Sequence, residues 1–306
     1  MRNHIRQRAQ FLAAIRAFFA ARDILEVDTA HLRPPGVTDP PLTPLPVPGH
    51  GYLQTSPEYA MKRLLAAGSG DIYQLAHVFR GEEQGRKHQR EFMLLEWYRT
   101  GHNHHQLIEE VTALIHTLLP QTRALPVIHT PYRQAFIRHL DEDILALDTP
   151  ALRAHCSQKI PESAAWTLDR DAMLDLLYTH HIEPHLGQQS LEYIQDYPPS
   201  QAALARLHPD PHGHPVAARF ELYHQGLELC NGYWELADPA QQRQRFEHDN
   251  RQREHLGLPA MPLDEALLTA LEQGLPDCAG VALGIDRLLM LHLEAPHIAD
   301  ITLNHW

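Results

Sequence analysis

Two segments far apart in the chain read as antiparallel hairpins, with helices lying between them. Ile72 to Arg80 and Glu91 to Arg99 read as strands flanking a polar loop, and Arg219 to Leu236 reads as a second pair that turns at Gln225-Gly226. Parallel strands need a crossover connection, and no regular strand–helix rhythm supplies one here. The order predicts an α+β fold, an antiparallel sheet flanked by helices. Ile5, Ala9, Leu12, Ile15 and Phe19 recur at three- and four-residue steps, which predicts an amphipathic first helix. A short strand is expected at Leu25 to Asp28. Further helices are expected at Met61 to Ala67, His104 to Leu119, Ala240 to Leu256, Leu263 to Gln273 and Asp286 to Leu293. A strand at Val281 to Leu283 leads through Gly284 into the last of these. The stretch from about residue 131 to 189 reads as a helical insertion within a single domain spanning 1–306. Seven prolines between Pro34 and Pro48 exclude a helix or a central strand, leaving an ordered loop or a mobile lid.

Charge removes whole classes of function. The 26 Lys and Arg against 38 Asp and Glu give −12, with no long basic run, so a general binder of nucleic acid or of anionic membranes is not expected. Three cysteines without a CxxC pair exclude a disulfide scaffold and a cysteine-rich zinc site. The first residues are broken by arginines and do not read as a secretory signal, and no apolar run is long enough to cross a bilayer. A cytoplasmic protein is expected. Two histidine groups, His102, His104, His105 and His208, His212, His214, are expected to be solvated rather than to bind a metal.

Three features carry chemistry. The first hairpin's loop concentrates Arg80, Arg86, Lys87 and Arg90; guanidinium forks suit phosphate oxygens, although pairing with the loop's own glutamates would also satisfy them. In the second hairpin a two-residue turn places Glu221 opposite Cys230 with Glu228 on the same face. Carboxylates so placed either form a solvated strip or hold a hard cation such as Mg²⁺. Arg287 is the lone cation of an apolar segment just inside a helix start, where it needs Asp286, another acid, or a ligand phosphate.

Taken in order, these segments resemble the class II aminoacyl-tRNA synthetases, and within them the lysyl branch. Leu25-Glu26-Val27-Asp28-Thr29 looks like the first, dimer-forming motif, and Thr55 to Leu64 like the amino-acid-binding segment. Phe79-Arg80-Gly81-Glu82-Glu83 with Glu91-Phe92 to Arg99 looks like the second motif. Glu228-Leu229-Cys230-Asn231-Gly232, Glu235-Leu236 and Gly280 to Arg287 complete the set. The resemblance implies ATP as a substrate with Mg²⁺ held by Glu221 and Glu228. It implies Arg80 and Arg287 as the catalytic phosphate-binding arginines, Glu82 reading adenine, Phe92 stacking on it, and His88, Gln89, Leu229 and Gly284 completing the nucleotide site. For the amino acid it implies Ser56, Glu58, Tyr98, Cys230, Asn231, Glu235 and Ala282: Glu58 for the nearer amine, Glu235 and Tyr98 for the distal ammonium, Asn231 for the carboxylate.

The first-motif helix begins close to Met1, leaving no length for an anticodon-binding barrel ahead of it. The chain therefore looks like a freestanding catalytic core of that branch, with no tRNA and no membrane partner. That resemblance implies activation of (R)-β-lysine as an adenylate, transfer to a lysine of elongation factor P, and a homodimer. Ala282 and Cys230 stand where the tRNA enzymes carry glycine; added atoms reshape a tight pocket, which suits a displaced amine. Ala30, Gly81 and Gln89-Arg90 also depart from the branch's usual proline, asparagine and Asn-Pro. The alternatives are a lysine-type tRNA-charging enzyme using α-lysine and a non-catalytic regulatory paralogue.

Overall fold

In a computed structural model that describes residues 2–81 and 83–302, the first helix, α1 (Arg2–Ala20), buries Phe11, Ile15, Phe18 and Phe19. Ile5 and Ala9 are exposed, because the side of the helix that packs is the one carrying Arg8, which reaches Asp286, with Phe11 and Ile15. There follow β1 (Leu25–Glu26), β2 (Leu32–Arg33), β3 (Pro46–Val47), β4 (Gly51–Leu53), α2 (Glu58–Ala66), β5 (Ile72–Phe79), β6 (Glu91–Thr100) and α3 (His104–Leu118). Next come β7 (Val127–Pro131), α4 (Tyr132–Leu140), α5 (Thr149–Lys159), α6 (Arg170–His181), β8 (Leu191–Tyr197), β9 (Leu207–Pro209), β10 (Pro215–His224) and β11 (Leu227–Trp234). The chain closes with α7 (Pro239–His255), α8 (Glu265–Gly274), β12 (Cys278–Gly284) and α9 (Ile285–His292). It forms two compact units, Met1–Arg123 with Gly232–Trp306, and Ala124–Asn231.

In the first unit β5, β6 and β12 are antiparallel neighbours, with β1 parallel to β5 at the edge. Side chains alternate across a strand, so the register Gln74↔Glu96, Ala76↔Leu94, Gly280↔Tyr98, Ala282↔Glu96 and Gly284↔Leu94 puts these residues on one face. The opposite face presents Tyr73, Leu95, Trp97, Val281 and Leu283, all buried. Phe19 of α1 stacks on Tyr73 at 4.3 Å between centroids and meets Trp97 edge-on at 5.4 Å. Each such fully buried side chain contributes roughly 1.5–3 kcal/mol. That face is wholly apolar or aromatic, whereas the first face sets the buried polar groups Gln74, Glu96 and Tyr98 beside apolar Ala76 and Leu94. The helix α3 starts with a capping box in which the Asn103 side chain takes the Gln106 N–H and Gln106 returns to the Asn103 N–H. The proline-rich segment is a tied-down loop that ends in the edge strand β3: Thr43 O accepts the Gly81 N–H at 2.8 Å, and the Thr38 hydroxyl donates to Asp249 at 2.6 Å.

The second unit carries α4, α5 and α6 beside a sheet in which β10 is antiparallel to β8 and to β9, and β7 is parallel to β8. Gln225 and Gly226, with φ of 52° and 65°, make the two-residue turn between β10 and β11. Both positions need left-handed backbone, which glycine adopts freely and glutamine does not. The strands β7 and β8 were not anticipated, since β8 is buried on both faces and shows no period of two. No described helix is long and apolar enough to cross a membrane.

Candidate active site

Arg80, at the end of β5, and Arg287, three residues into α9, lie 207 positions apart in sequence but bear on one imidazole. The guanidinium of Arg287 donates to His88 Nε2 at 2.7 Å and reaches Lys87 O at 3.5 Å. An arginine can only donate, so His88 is neutral with its proton on Nδ1. Burial and then the Arg287 charge lower the His88 pKa, with Lys87 and Arg80 acting in the same direction and Glu83 opposing. Arg80 donates to Thr55 O at 3.3 Å and to Glu83 at 3.0 Å, and its guanidinium stands 5.1 Å from the centre of the Phe92 ring. The loop's own Arg–Glu pairing therefore does form, on the same arginine that faces Phe92.

Asp286 does not partner Arg287. It takes Arg8 at 2.6 Å and the Met93 N–H at 2.7 Å, which leaves Arg287 directed at the loop. The chain's last described residues brace that loop: Arg86 O accepts the Ile298 N–H at 2.9 Å, and the Gln89 amide donates to Thr302 at 3.1 Å. Glu82 lies outside the described residues. Gly284 begins α9, and a Cβ there would meet only ordinary contact with the Arg287 side chain, the nearest atom 3.7 Å away.

Along the same sheet face Phe92 and its apolar neighbours give way to the buried Glu96. Phe92 and Ala282 pack on Ala76, Val78 and Leu94. Beyond them Glu96, buried, accepts the Ser56 hydroxyl at 2.6 Å and the Tyr98 hydroxyl at 2.7 Å. Ser56 also takes the Glu58 N–H at 3.0 Å at the start of α2. Glu58 and Glu235 both pair with Lys62 at 2.7 Å. Gly280 lies under the Tyr98 ring, and a Cβ there would fall 2.2 Å from it and 2.6 Å from Glu235 Oε1. Ser56, Glu58, Tyr98, Glu235 and Ala282 thus gather in this unit with Arg80, His88, Phe92, Gly284 and Arg287.

Lys62, Glu96, Gly280 and Glu83 were not singled out from sequence. Lys62 had a signal, its i,i+4 spacing from Glu58, and Glu96 stood as the one acid inside the apolar and aromatic run from Phe92 to Tyr98. Gly280 had none, because its closeness to Tyr98 depends on register between strands.

Burial, and next the Glu58 carboxylate, push the Glu96 carboxyl up to about 8; the Ser56 and Tyr98 hydroxyls oppose this and Glu235 adds to it. The folded state therefore holds this proton over a range where the unfolded chain has released it. The corresponding stability is full below the ordinary carboxylate pKa and is lost as pH rises through about 8. Glu96→Gln, which cannot ionise, is expected to flatten the fall in melting temperature between about pH 5 and pH 8. Thermal unfolding of both proteins across that range checks it; parallel curves would show that Glu96 titrates normally.

In the second unit Glu221 is buried and accepts Arg219 at 2.5 Å and the Tyr223 hydroxyl at 2.6 Å. Burial is the main cause that raises the Cys230 thiol and the Tyr223 phenol, and Glu221 and Glu228 both add to it. Carboxylate oxygens are the donor type that Mg²⁺ takes, and both Glu221 oxygens are engaged by Arg219 and Tyr223, so the ion would share Glu221 with them. Leu229 and Cys230 are buried, and Asn231 Oδ1 is a buried acceptor with no hydrogen bond among the described residues.

A family model described as tRNA synthetases class II (D, K and N) matches residues 1–304. The chain is 47% identical over 305 residues to proteins named elongation factor P–(R)-β-lysine ligase in Edwardsiella ictaluri and in Salmonella typhi, covering 96% of this chain and 92% of each relative. With that match over residues 1–304, the chain belongs to the class II tRNA synthetase family, in its D, K and N branch.

Proposed function

We propose that this protein is an ATP-dependent ligase that activates (R)-β-lysine as an aminoacyl-adenylate and transfers it to a lysine side chain of elongation factor P. Membership of the class II family implies the use of ATP. The name of these relatives supplies the amino acid and the acceptor. The observation that carries the reading is the sheet face on which Arg80 and Phe92 lead to the buried Glu96, with buried Glu235 and half-buried Glu58 beside it. A nucleotide lying along the arginines would present its α-phosphate to a carboxylate whose amines are held by the acids.

In the first half-reaction a substrate carboxylate oxygen attacks the α-phosphorus, and the bond to the β-phosphate oxygen breaks, releasing pyrophosphate. Arg80, set against Phe92, would take the charge growing on the α-phosphate oxygens, and Arg287 would hold the departing end. In the second, the acceptor lysine's neutral amine attacks the carbonyl carbon, AMP leaves with the bonding pair, and the amine gives up a proton. Glu221 and Glu228 would hold Mg²⁺, which when bound neutralises phosphate charge. Asn231 Oδ1, unbonded and buried, would orient the substrate. A homodimer through β1 is part of the proposal: Leu25 there is exposed although it lies on a sheet edge.

ATP–pyrophosphate exchange is expected to be stimulated most by (R)-β-lysine, to vanish on chelation of divalent cations, and to be followed by label on elongation factor P. Exchange driven only by another amino acid, or charging of tRNA in place of the protein, would overturn the assignment.

A further inference from the structure

The acidic end of the sheet face holds a cation of its own. Lys62, four residues after Glu58 on α2, places its ammonium 2.7 Å from Glu58 Oε1 and 2.7 Å from Glu235 Oε2, with 2% of the side chain exposed. Burial alone would lower its pKa, but Glu235 and then Glu58 more than reverse that, so the ammonium stays charged. A pocket built only to attract ammonium groups would bind them better without this lysine. Its presence between the very carboxylates assigned to the substrate's amines needs a reason.

We infer that Lys62 is a specificity-determining residue: its ammonium divides the acidic pocket into one amine position beside Glu58 and another beside Glu235, and so sets the amine spacing the pocket accepts. The inference rests on the lysine-isomer reading above. Isomers of lysine carry the same two ammonium groups and one carboxylate, so net charge cannot tell them apart. They differ in how many carbons separate the amines. A fixed positive charge midway between the two carboxylates repels each substrate ammonium toward the far side of its own acid, which holds the two positions apart. Tyr98, whose hydroxyl is bound to Glu96, and Gly280 close the space against Glu235 Oε1, so the position there is confined as well. A neutral side chain in place of Lys62 lets both ammonium groups approach the gap, and the tolerance for spacing widens.

The test is ATP–pyrophosphate exchange with (R)-β-lysine and with α-lysine, comparing kcat/KM for the two. Lys62→Met is expected to move the ratio toward unity by about tenfold, mainly through KM, while Lys62→Arg keeps it within about threefold of wild type. A merely structural lysine would lower both isomers together. A folded Lys62→Met protein with the wild-type ratio overturns the inference, as does tighter use of both isomers at an unchanged ratio, which would make the ammonium a simple occupant. A shift in Lys62→Arg as large as in Lys62→Met overturns the role of charge. If Lys62→Met fails to fold, Lys62→Gln keeps a hydrogen-bond donor between the two carboxylates without the charge; the same relaxation is expected, and an unchanged ratio overturns the inference. Wild-type protein that exchanges with no lysine isomer would sink the functional reading and this inference together, whereas wild-type exchange with an unmoved variant ratio sinks the inference alone.

Discussion

Replacing Arg287 with alanine is expected to lower ATP–pyrophosphate exchange by about 10²–10³-fold, the usual effect of deleting one donor aimed at developing charge, while leaving the fold in place. The two halves of this expectation come from the same position. A cation in the first turn of α9 opposes the helix dipole at about 0.3–1 kcal/mol, so its removal does not weaken the helix. Its neighbour Asp286 is held by Arg8 and the Met93 N–H, contacts that the substitution does not touch. What is lost is the guanidinium at His88 Nε2, on the loop that also carries Arg80. Arg287→Lys is expected to recover only part of the activity, since an ammonium lacks the planar fork. Steady-state exchange with ATP varied, together with a melting temperature for each variant, separates the outcomes. An Arg287→Ala protein with wild-type exchange would remove Arg287 from catalysis and revive the regulatory alternative; a collapsed melting temperature would show a structural residue instead.

Local rules carried much of this fold. The strands β5 and β6, the helix α3 and the turn at Gln225-Gly226 follow from short-range pattern, and each forms within a few residues of where the pattern put it. Strands β7 and β8 escaped because both faces of β8 are buried and its sequence mixes polar with apolar side chains throughout. The first helix was legible, but its buried stripe runs through Phe11, Ile15 and Phe18 rather than through Ile5 and Ala9, because only tertiary packing decides which turns are covered. The site divides in the same way. Arg80, His88, Phe92 and Arg287 were legible through a resemblance in motif order, and they fall together in the first unit. Lys62 between Glu58 and Glu235, Glu96 under Ser56 and Tyr98, and Asp286 under Arg8 were not, since each depends on which side chains meet across elements far apart in sequence.

Gly280 shows that dependence most sharply, and Gly280→Ala is expected to be among the most damaging single-methyl additions in the chain. Its backbone has no need of glycine, because its φ is not positive. The requirement comes from register: Gly280 faces Tyr98 across β12 and β6, and a Cβ would sit 2.2 and 2.4 Å from two ring carbons and 2.6 Å from Glu235 Oε1. Neither neighbour can yield cheaply. The Tyr98 hydroxyl is bound to Glu96 at 2.7 Å, and Glu235 is tied to Lys62 at 2.7 Å. Overpacking of a closed site costs typically 1–3 kcal/mol, so the melting temperature is expected to fall by several degrees, about 2–4 °C per kcal/mol lost in larger domains. The larger effect falls on the amino acid, because displacing Tyr98 and Glu235 by about 1 Å misplaces the ammonium they are proposed to hold and is expected to reduce kcat/KM for lysine by about 100-fold, with the KM for ATP nearly unchanged. Tyr98→Leu alone also lowers lysine use, but combined with Gly280→Ala it opens room for the new methyl. The double variant is therefore expected to melt higher than the sum of the single losses predicts, a positive coupling of the kind contacting residues show. Additive losses, or a Gly280→Ala enzyme with the wild-type KM for lysine, would mean that the tyrosine ring and the glutamate do not close over this strand.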